Sequence, residues 1–336
     1  MNPQLADHIS LLGKLTPRRT INALKILLSY YYSRYTGRVS HRGKPFTISV
    51  EPTTSCNLRC PECPSGLRQF SRDTGRISLE LYQDIIDQLH KELFYLILYF
   101  QGEPYLHPLF FRMTEYARER KIYTATSTNA HYLTDTLARK TVESGLDRLI
   151  ISLDGLDQET YEKYRVGGSF DKVIEGTRNL VKWKRELHSR TPFIILQFIV
   201  FRTNEHQVKN VRKMARELGV DKLELKTAQV YNYEEGNPLI PQNEKFSRYK
   251  KIREGFFQIN NPLNNHCLRM WRGCVITWDG LVVPCCFDKD AAHRFGDLKK
   301  QDFKQIWKGK AYDDFRKKLF SARREIDICK NCTERW

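Results

Sequence analysis

The sequence predicts an α/β fold, a partial (β/α)6 TIM-like barrel with an N-terminal helical extension and a small C-terminal β-hairpin/helix region. Between residues 46 and 228, six apolar, β-rich runs alternate with amphipathic helical runs. This alternation is typical of parallel strands joined by helical crossovers. The same stretch contains no Gly-x-Gly-x-x-Gly sequence, which favours a barrel over a doubly wound nucleotide-binding sheet.

The six predicted strands are short runs rich in β-branched and aromatic residues. They are Phe46–Glu51, Tyr95–Phe100, Ile122–Ser127, Arg148–Leu153, Phe193–Val200 and Lys222–Thr227. The helices between them are predicted at Leu79–Lys91, Leu109–Arg120, Thr134–Ser144, Phe170–Leu187 and Glu205–Leu218. Gly145 and Gly219 follow two of these helices, where a left-handed C-terminal cap is expected. Thr134 and Asn204 are the expected N-caps.

A basic extension, residues 1–45, precedes the barrel and contains eight Lys or Arg residues against one acid, Asp7. Thr16 and Pro17 form the start expected of a helix that continues to Arg34. The helix over residues 17–34 carries both aliphatic and aromatic side chains. Such a face most often packs on the domain that follows, and peripheral contact with an anionic membrane is the alternative.

The composition is that of a folded, basic protein of 336 residues, with 56 Lys and Arg against 39 Asp and Glu and a net charge of +17. This charge suits nucleic acid, an anionic membrane or an acidic substrate equally well. No uncharged apolar run reaches 18 residues, which excludes a conventional transmembrane span. Because the first residues do not read as a signal peptide, we expect a cytoplasmic location, with contact at the inner membrane surface as an alternative.

Nine cysteines, an odd and clustered set, favour metal ligands over disulfides. Cys56, Cys60 and Cys63 follow the first predicted strand, at the end of a barrel where active sites are assembled. A four-iron cluster normally takes four thiolates, so three on one loop leave one iron open. A zinc knuckle is the alternative, although no Cys or His lies between Cys63 and His90 to complete it.

The segment from Cys56 to Cys63, Cys-Asn-Leu-Arg-Cys-Pro-Glu-Cys, resembles the signature of the radical S-adenosylmethionine (SAM) superfamily. The resemblance implies that Cys56, Cys60 and Cys63 bind a [4Fe-4S] cluster whose open iron chelates SAM. One electron, from a donor such as flavodoxin or ferredoxin, would then release a 5′-deoxyadenosyl radical that abstracts hydrogen from a substrate. Glu62 departs from the pattern, because the family often has an aromatic residue before the third cysteine.

Polar motifs at the following strand ends resemble those of the same family. Gln101-Gly102-Glu103-Pro104 is similar to Gly-Gly-Glu-Pro, Ser127-Thr128-Asn129 to Thr-Asn-Gly, and Ser152-Leu153-Asp154 to a Ser-x-Asp segment. Arg165 resembles an arginine that pairs with the SAM carboxylate. The resemblance implies SAM-binding roles for Gln101, Gly102, Glu103, Asn129, Ser152, Asp154 and Arg165. Gln197, Val200 and Lys226 are further candidates to face the site, and no catalytic residue is predicted.

The last seventy residues contain the other six cysteines and an Asp279-Gly280 hairpin turn. This region resembles the SPASM or Twitch extension of radical SAM enzymes, which carries auxiliary [4Fe-4S] clusters. Six cysteines favour one auxiliary cluster. The preferred ligands are Cys267, Cys285, Cys329 and Cys332, with Cys274 and Cys286 spare. An exchange of Cys286 for Cys285 and a zinc ribbon are the open alternatives.

Three domains are therefore predicted: the extension 1–45, a radical SAM partial barrel 46–230 and an auxiliary cluster domain 231–336. The predicted function is hydrogen abstraction from a small-molecule or carbohydrate-type substrate, giving a net oxidation or modification. A peptide- or protein-modifying maturase is the alternative within the family. A zinc-binding nucleic-acid module is the alternative outside it, but the chain shows no aromatic RNA-binding motif, so no nucleic-acid partner is expected.

Overall fold

The computed structural model describes residues 2–333. Residues 1 and 334–336, the outermost positions of the predicted first and third domains, lie outside the described residues. The strands are β1 Thr47–Val50, β2 Tyr95–Ile97, β3 Tyr123–Thr128, β4 Arg148–Ser152, β5 Phe193–Val200, β6 Lys222–Thr227, β7 Tyr249–Arg253, β8 Phe256–Ile259, β9 Gly273–Ile276, β10 Leu281–Val283 and β11 Gly296–Asp297. The α-helices are α1 Pro3–Leu12, α2 Pro17–Thr36, α3 Pro64–Leu67, α4 Leu79–Leu89, α5 Phe110–Glu119, α6 Asp135–Glu143, α7 Gln158–Glu162, α8 Phe170–Glu186, α9 Val208–Leu218, α10 Arg269–Arg272, α11 Phe303–Trp307 and α12 Lys310–Ala322. Short 3-10 helices lie at Pro104–Leu106, Glu205–Gln207, Glu244–Phe246, Arg323–Glu325 and Asp327–Cys329.

The main sheet has nine strands in the order β11-β10-β9-β1-β2-β3-β4-β5-β6. Strands β1 to β6 are parallel neighbours in chain order, and helices connect them. The predicted partial barrel is therefore confirmed, with each predicted strand within three residues of its observed bounds. Parallel order places the carboxyl ends of these strands at one end of the barrel, where the polar motifs were predicted to meet.

The helix ends show which capping predictions are correct. The Thr134 side chain accepts the backbone N–H of Leu137, and Gly145 and Gly219 have φ values of 74° and 73°. Asn204 was wrongly expected to cap a helix. Its buried amide instead accepts the N–H of Phe201 and donates to the carbonyls of Asp154 and Ile199, so it joins the ends of β4 and β5.

The C-terminal hairpin extends the barrel sheet. Strand β9 pairs parallel with β1, with Thr47 opposite Gly273 and Val50 opposite Ile276, and β10 returns antiparallel to β9. A Cβ on Gly273 would lie 2.3 Å from the carbonyl oxygen of Thr47, so this close pairing needs glycine. The side chains of β1, α4, α5 and the C-terminal region form one continuous hydrophobic core. The two cysteine clusters are thus attached to neighbouring strands of one sheet.

The N-terminal extension folds as two helices that close the opposite end of the barrel. Thr16 caps α2 as predicted, whereas α1 was not predicted. The buried Arg19 guanidinium donates to the carbonyls of Lys14, His90, Arg120 and Lys121. His90 and Arg120 end α4 and α5, and a cation stabilises helix C-termini. Because those helix ends lead into β2 and β3, the extension lies away from the carboxyl ends of the strands.

Candidate active site and auxiliary cluster site

The cysteine loop begins at Glu51, a fully buried carboxylate directly after β1. Glu51 accepts two hydrogen bonds from Arg72, at 2.9 and 2.6 Å, and one at 3.1 Å from the backbone N–H of Trp278. Burial raises the pKa of Glu51, while Arg72 acts in the opposite direction. One ion pair therefore fixes both ends of the loop and the turn of the C-terminal hairpin.

Two of the three cysteines of this loop, Cys56 and Cys60, receive donors suited to thiolate sulfur. The backbone N–H of Leu58 donates to Cys56 Sγ at 3.5 Å, and Arg165 Nη1 lies 3.8 Å from Cys60 Sγ. Burial raises the pKa of Cys56 to about 12 and also raises that of Cys60, and a bound metal favours the thiolate form of such ligands. Apolar side chains, including Leu58, enclose the loop. These residues fit an iron–sulfur cluster.

The distances between metal-ligating side chains bear on the zinc alternatives. Among residues 2–333, no three His, Cys, Asp or Glu side chains converge closely enough to hold one metal ion. Zinc requires four ligands around one ion. Cluster thiolates bind different irons and therefore lie further apart than zinc ligands do.

Gly102 and Glu103 occupy the end of β2 beside the cysteine loop. Gly102 has a φ of 73°, and a Cβ there would lie 2.2 Å from the carbonyl oxygen of Thr53. Glu103 is buried and accepts hydrogen bonds from Thr128 Oγ1 and the Asn129 N–H, both at 2.8 Å. Burial raises the pKa of Glu103 to about 7, although these donors favour its charged form. The carboxylate is thus oriented and ready to stabilise a cation that enters the site.

Asn129 connects the end of β3 to the cysteine loop. Its Nδ2 donates to Asn57 Oδ1 at 2.8 Å. His131 accepts the N–H of Ser169 at Nε2, so its Nδ1 carries the proton that faces the carbonyl oxygens of Asn129. Sequence reasoning missed Asn57 and His131 as supporting residues. The only available indication for Asn57 was its position between two of the cysteines.

Asp154 and Arg165 form a buried ion pair at the end of β4. Arg165 Nε donates to Asp154 Oδ2 at 2.6 Å, and the Ile199 N–H donates to Oδ1 at 2.8 Å. Burial raises the pKa of Asp154, with Arg165 opposing it. The pair holds the guanidinium against Cys60. Ser152 ends β4 opposite Gln197 of β5.

The three further candidates on β5 and β6 divide between two faces of the sheet. Lys226 lines the barrel interior with Glu224, at an N to O distance of 3.1 Å. Val200 was wrongly expected to face the site, because it is buried in the core beneath the helices. Gln197 and Val200 are three positions apart on one strand, and alternation places them on opposite faces.

Glu62, which departs from the family pattern, has a structural role. Its carboxylate accepts the backbone N–H of Tyr231 at 2.8 Å and Asn237 Nδ2 at 3.2 Å. It therefore binds the segment after β6 to the cysteine loop. Gln101, which stands where the family motif has a glycine, also contacts the loop. Its Oε1 lies 3.8 Å from Cys63 Sγ.

In the C-terminal region, three of the four preferred ligands surround a buried arginine. Arg323 donates to Cys332 Sγ at 3.4 Å and to the carbonyls of Asn264 and His266. Burial acts to lower the pKa of Arg323, but Cys267, Cys332 and Cys329 outweigh it and raise the pKa. A buried guanidinium among these sulfurs fits an anionic iron–sulfur cluster.

The structure distinguishes the remaining cysteines by burial and position. Cys285 is half-buried and interacts electrostatically with Cys267. Cys286 is exposed and accepts a hydrogen bond from Arg269 at 3.2 Å. Cys274 lies on β9, where it forms a side-chain hydrogen bond with Tyr312. These positions favour Cys285 as the fourth ligand.

A cavity of about 560 Å³ opens between the cysteine loop and the chain that follows Cys286. Asp290 accepts the Ser71 N–H at 2.9 Å and so connects the two walls. The Lys289 ammonium lies 4.7 Å from the centre of the Tyr231 ring. The polar side chains that line the cavity are Glu62, Gln69, Tyr231, Asn232, Asp288, Lys289, Asp290 and Asp327.

A parallel βα barrel with three cysteines after β1 and an oriented carboxylate after β2 defines an iron–sulfur enzyme of the SAM-dependent class. Family comparison agrees. Residues 50–214 match the radical SAM superfamily, and residues 267–333 match SPASM, an iron–sulfur cluster-binding domain. The chain belongs to the radical SAM superfamily, carries a SPASM domain, and is an enzyme whose cofactors are [4Fe-4S] clusters and SAM.

A curated relative is similar over most of the chain, and two solved structures share its fold. The tungsten-containing aldehyde ferredoxin oxidoreductase cofactor-modifying protein of Pyrococcus furiosus is 26% identical over 301 residues, 80% of this chain and 82% of the relative. BtrN in complex with AdoMet and 2-DOIA has a TM-score of 0.53 at 18% identity, covering 88% of this chain and 95% of BtrN. Streptococcus suis SuiB bound to the precursor peptide SuiA has a TM-score of 0.63 at 16% identity, covering 91% and 74%.

Proposed function

We propose that this enzyme uses SAM to abstract a hydrogen atom from a polar small molecule of carbohydrate or cofactor type. The cavity between the cysteine loop and residues 287–292 is the observation that carries the proposal. Its volume of about 560 Å³ lies within the usual range of small-molecule sites, about 300–1,000 Å³. Its acidic, amide and ammonium side chains suit a substrate with several hydroxyl or amino groups.

The site residues have distinct proposed roles. Cys56, Cys60 and Cys63 hold the catalytic cluster, which supplies the electron that cleaves SAM when both are bound. Glu103 receives the SAM ammonium, because its carboxylate is already oriented by Thr128 and Asn129. Since burial makes the unpaired anion unfavourable, a bound cation stabilises it.

The remaining predicted residues shape the SAM site. Gly102 lets the backbone approach the loop, and Gln101 lies against Cys63. Asn129 links the site to Asn57. Ser152, Asp154 and Arg165 form the wall at the end of β4, where Asp154 orients the guanidinium for an anionic group of SAM.

The auxiliary cluster is proposed to lie on Cys267, Cys285, Cys329 and Cys332. Strand β9 pairs with β1 and the cavity reaches both cysteine regions, so a substrate radical would form close to this second redox centre. An auxiliary cluster there can accept an electron and complete a net oxidation. Flavodoxin or ferredoxin is the proposed electron donor to the catalytic cluster.

A small molecule is favoured over a peptide by comparison with a relative. The Pyrococcus relative that covers most of this chain is named for modifying a cofactor. SuiB, whose structure contains a precursor peptide, makes a peptide substrate the second candidate.

The test is anaerobic turnover with dithionite and deuterated candidate substrates. We expect 5′-deoxyadenosine to form, and deuterium to enter it only when a polar small-molecule fraction supplies the label. The matched variant Lys289→Met should lower incorporation while SAM cleavage without substrate persists, because Lys289 lies in the cavity. Deuterium transfer only from peptides would reject the small-molecule assignment, and absence of 5′-deoxyadenosine with a loaded cluster would reject the radical function.

We also propose that the basic helix over residues 17–34 makes peripheral contact with a membrane surface. No helix of the described residues has the length and apolar character to cross a bilayer. Any such contact would therefore be made by a surface, as an amphipathic helix does.

A further inference from the structure

Exposed hydrophobic side chains are concentrated on the two N-terminal helices. Nine of the sixteen large hydrophobic residues that are exposed within residues 2–333 lie on α1 and α2. They include some of the most exposed, with Leu28 at 70% and Tyr35 at 80%. The nine are Leu5, Ile9, Leu12, Ile21, Leu24, Leu28, Tyr31, Tyr32 and Tyr35. We call this set the N-terminal apolar surface.

The positions on α2 form one continuous stripe. Ile21, Leu24, Leu28, Tyr31 and Tyr35 are spaced by three or four residues, so they lie along one side of the helix. The other side is already used, because Asn22, Ile26 and Tyr30 are among its buried residues. On α1 the exposed residues follow the same spacing. Packing on the barrel therefore accounts for one face of the extension and leaves the apolar stripe in solvent.

A basic groove borders this stripe. A cavity of about 580 Å³ begins at Ile21 and Lys25 and is lined by five Lys or Arg side chains and one acid. The acid is Glu92, which Arg18 binds at 2.5 Å and Lys44 approaches at 3.8 Å. The other cations of the groove are Lys25, Lys304 and Lys308. The groove therefore has an excess of positive charge directly beside exposed apolar residues.

The N-terminal apolar surface lies at the end of the barrel opposite the active site. Asp7 of α1 binds Tyr123 and Arg148, the first residues of β3 and β4. The cysteine loop follows the carboxyl end of β1. Contact at α1 and α2 therefore leaves the substrate cavity open to solvent.

We infer that α1, α2 and the adjacent basic groove form a docking surface for a bilayer that contains anionic lipids. The inference deepens the proposed membrane contact and does not depend on the proposed radical chemistry. Apolar side chains enter the interface between headgroups and acyl chains, and Lys25, Lys304 and Lys308 meet the lipid phosphates. Tyr31, Tyr32 and Tyr35 suit this depth because a tyrosine ring is apolar and its hydroxyl is polar.

The charge pattern favours a bilayer over a second copy of the chain. A dimer through this surface would bring the same cations together, because a two-fold interface repeats one patch on both sides. An anionic bilayer instead supplies opposite charge over the whole surface.

The experiment is co-sedimentation of the full chain, with clusters reconstituted, with two kinds of vesicle. One contains phosphatidylcholine alone, and the other also contains about 30% phosphatidylglycerol as the anionic lipid. We expect binding only to the anionic vesicles, weakened by salt. Leu24→Ser with Leu28→Ser should reduce the bound fraction at least about tenfold, since both side chains enter the apolar layer. Lys25→Glu with Lys308→Glu should abolish the preference for anionic lipid.

The matched controls are Ile252→Ser, which removes an exposed hydrophobic residue on β7 that is 58% exposed, and Lys209→Glu, an exposed position on α9. Both should bind vesicles like the original chain. Equal binding by Leu24→Ser with Leu28→Ser, or no difference between the two vesicles, would overturn the inference. A dimer that this double variant disrupts, without vesicle binding, would assign the surface to a second copy.

The variant Cys56→Ala, which lacks one ligand of the catalytic cluster, separates this inference from the proposed function. It should produce no 5′-deoxyadenosine and still bind anionic vesicles. If Leu24→Ser with Leu28→Ser loses vesicle binding and still forms 5′-deoxyadenosine, the membrane contact and the radical chemistry are independent.

Discussion

The buried pair of Glu51 and Arg72 gives the sharpest test of how the two cysteine regions are held together. Arg72→Met leaves the Glu51 carboxylate buried with one remaining donor, the Trp278 N–H. Two charge-assisted hydrogen bonds are lost, each contributing about 1.5–3 kcal/mol. The sum agrees with the cost of breaking a buried ion pair, about 3–5 kcal/mol. We expect the free energy of unfolding to fall by that amount.

Removing both charges should be less harmful than removing one. In Glu51→Leu with Arg72→Met, no unpaired charge is buried, and the main loss is the acceptor for the Trp278 N–H, about 1–3 kcal/mol. The pH dependence has a definite sign. Burial raises the pKa of Glu51 in the folded chain above its unfolded value. In folded Arg72→Met, Glu51 therefore stays protonated at pH values at which the unfolded chain has already lost this proton. The penalty of Arg72→Met should therefore grow as the pH rises from about 5 to 8.

The assay is anaerobic urea unfolding of the reconstituted protein, followed by tryptophan fluorescence at both pH values. Lys213→Met is the matched control, because Lys213 forms an exposed pair with Glu217 and should cost under about 1 kcal/mol. The reasoning is refuted if the double variant is less stable than Arg72→Met alone, or if the penalty does not change with pH.

Three further predictions concern the clusters and SAM. Cys285→Ser should lose the auxiliary cluster, about half of the eight irons of two cubes, whereas Cys286→Ser should keep it; iron analysis and electron paramagnetic resonance distinguish them, and equal loss in both would contradict the ligand assignment. SAM affinity should fall about tenfold for each pH unit by which the pH drops below 7, because the pKa of Glu103 is raised to about 7 and only its carboxylate form binds the ammonium. Glu103→Gln should bind SAM weakly at every pH, and a SAM affinity of Glu103→Gln that still changes with pH would count against this role. Gly102→Ala should distort the cysteine loop, since its Cβ would lie 2.2 Å from the Thr53 oxygen, and normal cluster content in that variant would disprove the need for glycine.

The shared sheet explains why the catalytic and auxiliary regions should respond together to such changes. Strand β1 pairs with β2 on one side and with β9 on the other. Glu51 then binds the turn of the C-terminal hairpin through Trp278. A disturbance at the start of the cysteine loop is therefore transmitted to the hairpin that leads to Cys285, without passing through a flexible linker.

Glu62, which departs from the family motif, forms contacts that explain its presence in this chain. Glu62 attaches the segment at Tyr231 and Asn237 to the cysteine loop. An aromatic residue at this position could not accept both donors. The change is therefore compatible with the SAM site, and it builds one wall of the proposed substrate cavity.

Much of the fold follows from local pattern. Strand and helix periods, the glycine caps at Gly145 and Gly219, and the Asp279-Gly280 turn depend on neighbouring residues, so the sequence alone determined the barrel and the hairpin. The segment from Cys56 to Cys63 also indicated the class of chemistry through its resemblance to the radical SAM signature, whereas the cysteine spacing alone left a zinc knuckle open.

Only the tertiary structure decided the long-range partners. The pairing of β9 with β1 joins residues more than 200 positions apart. For the same reason the predictions for Asn204 and Val200 were wrong, and the attachment of Glu62 was not predicted. Contacts between distant segments depend on how whole elements pack, and no local period in the chain records that packing.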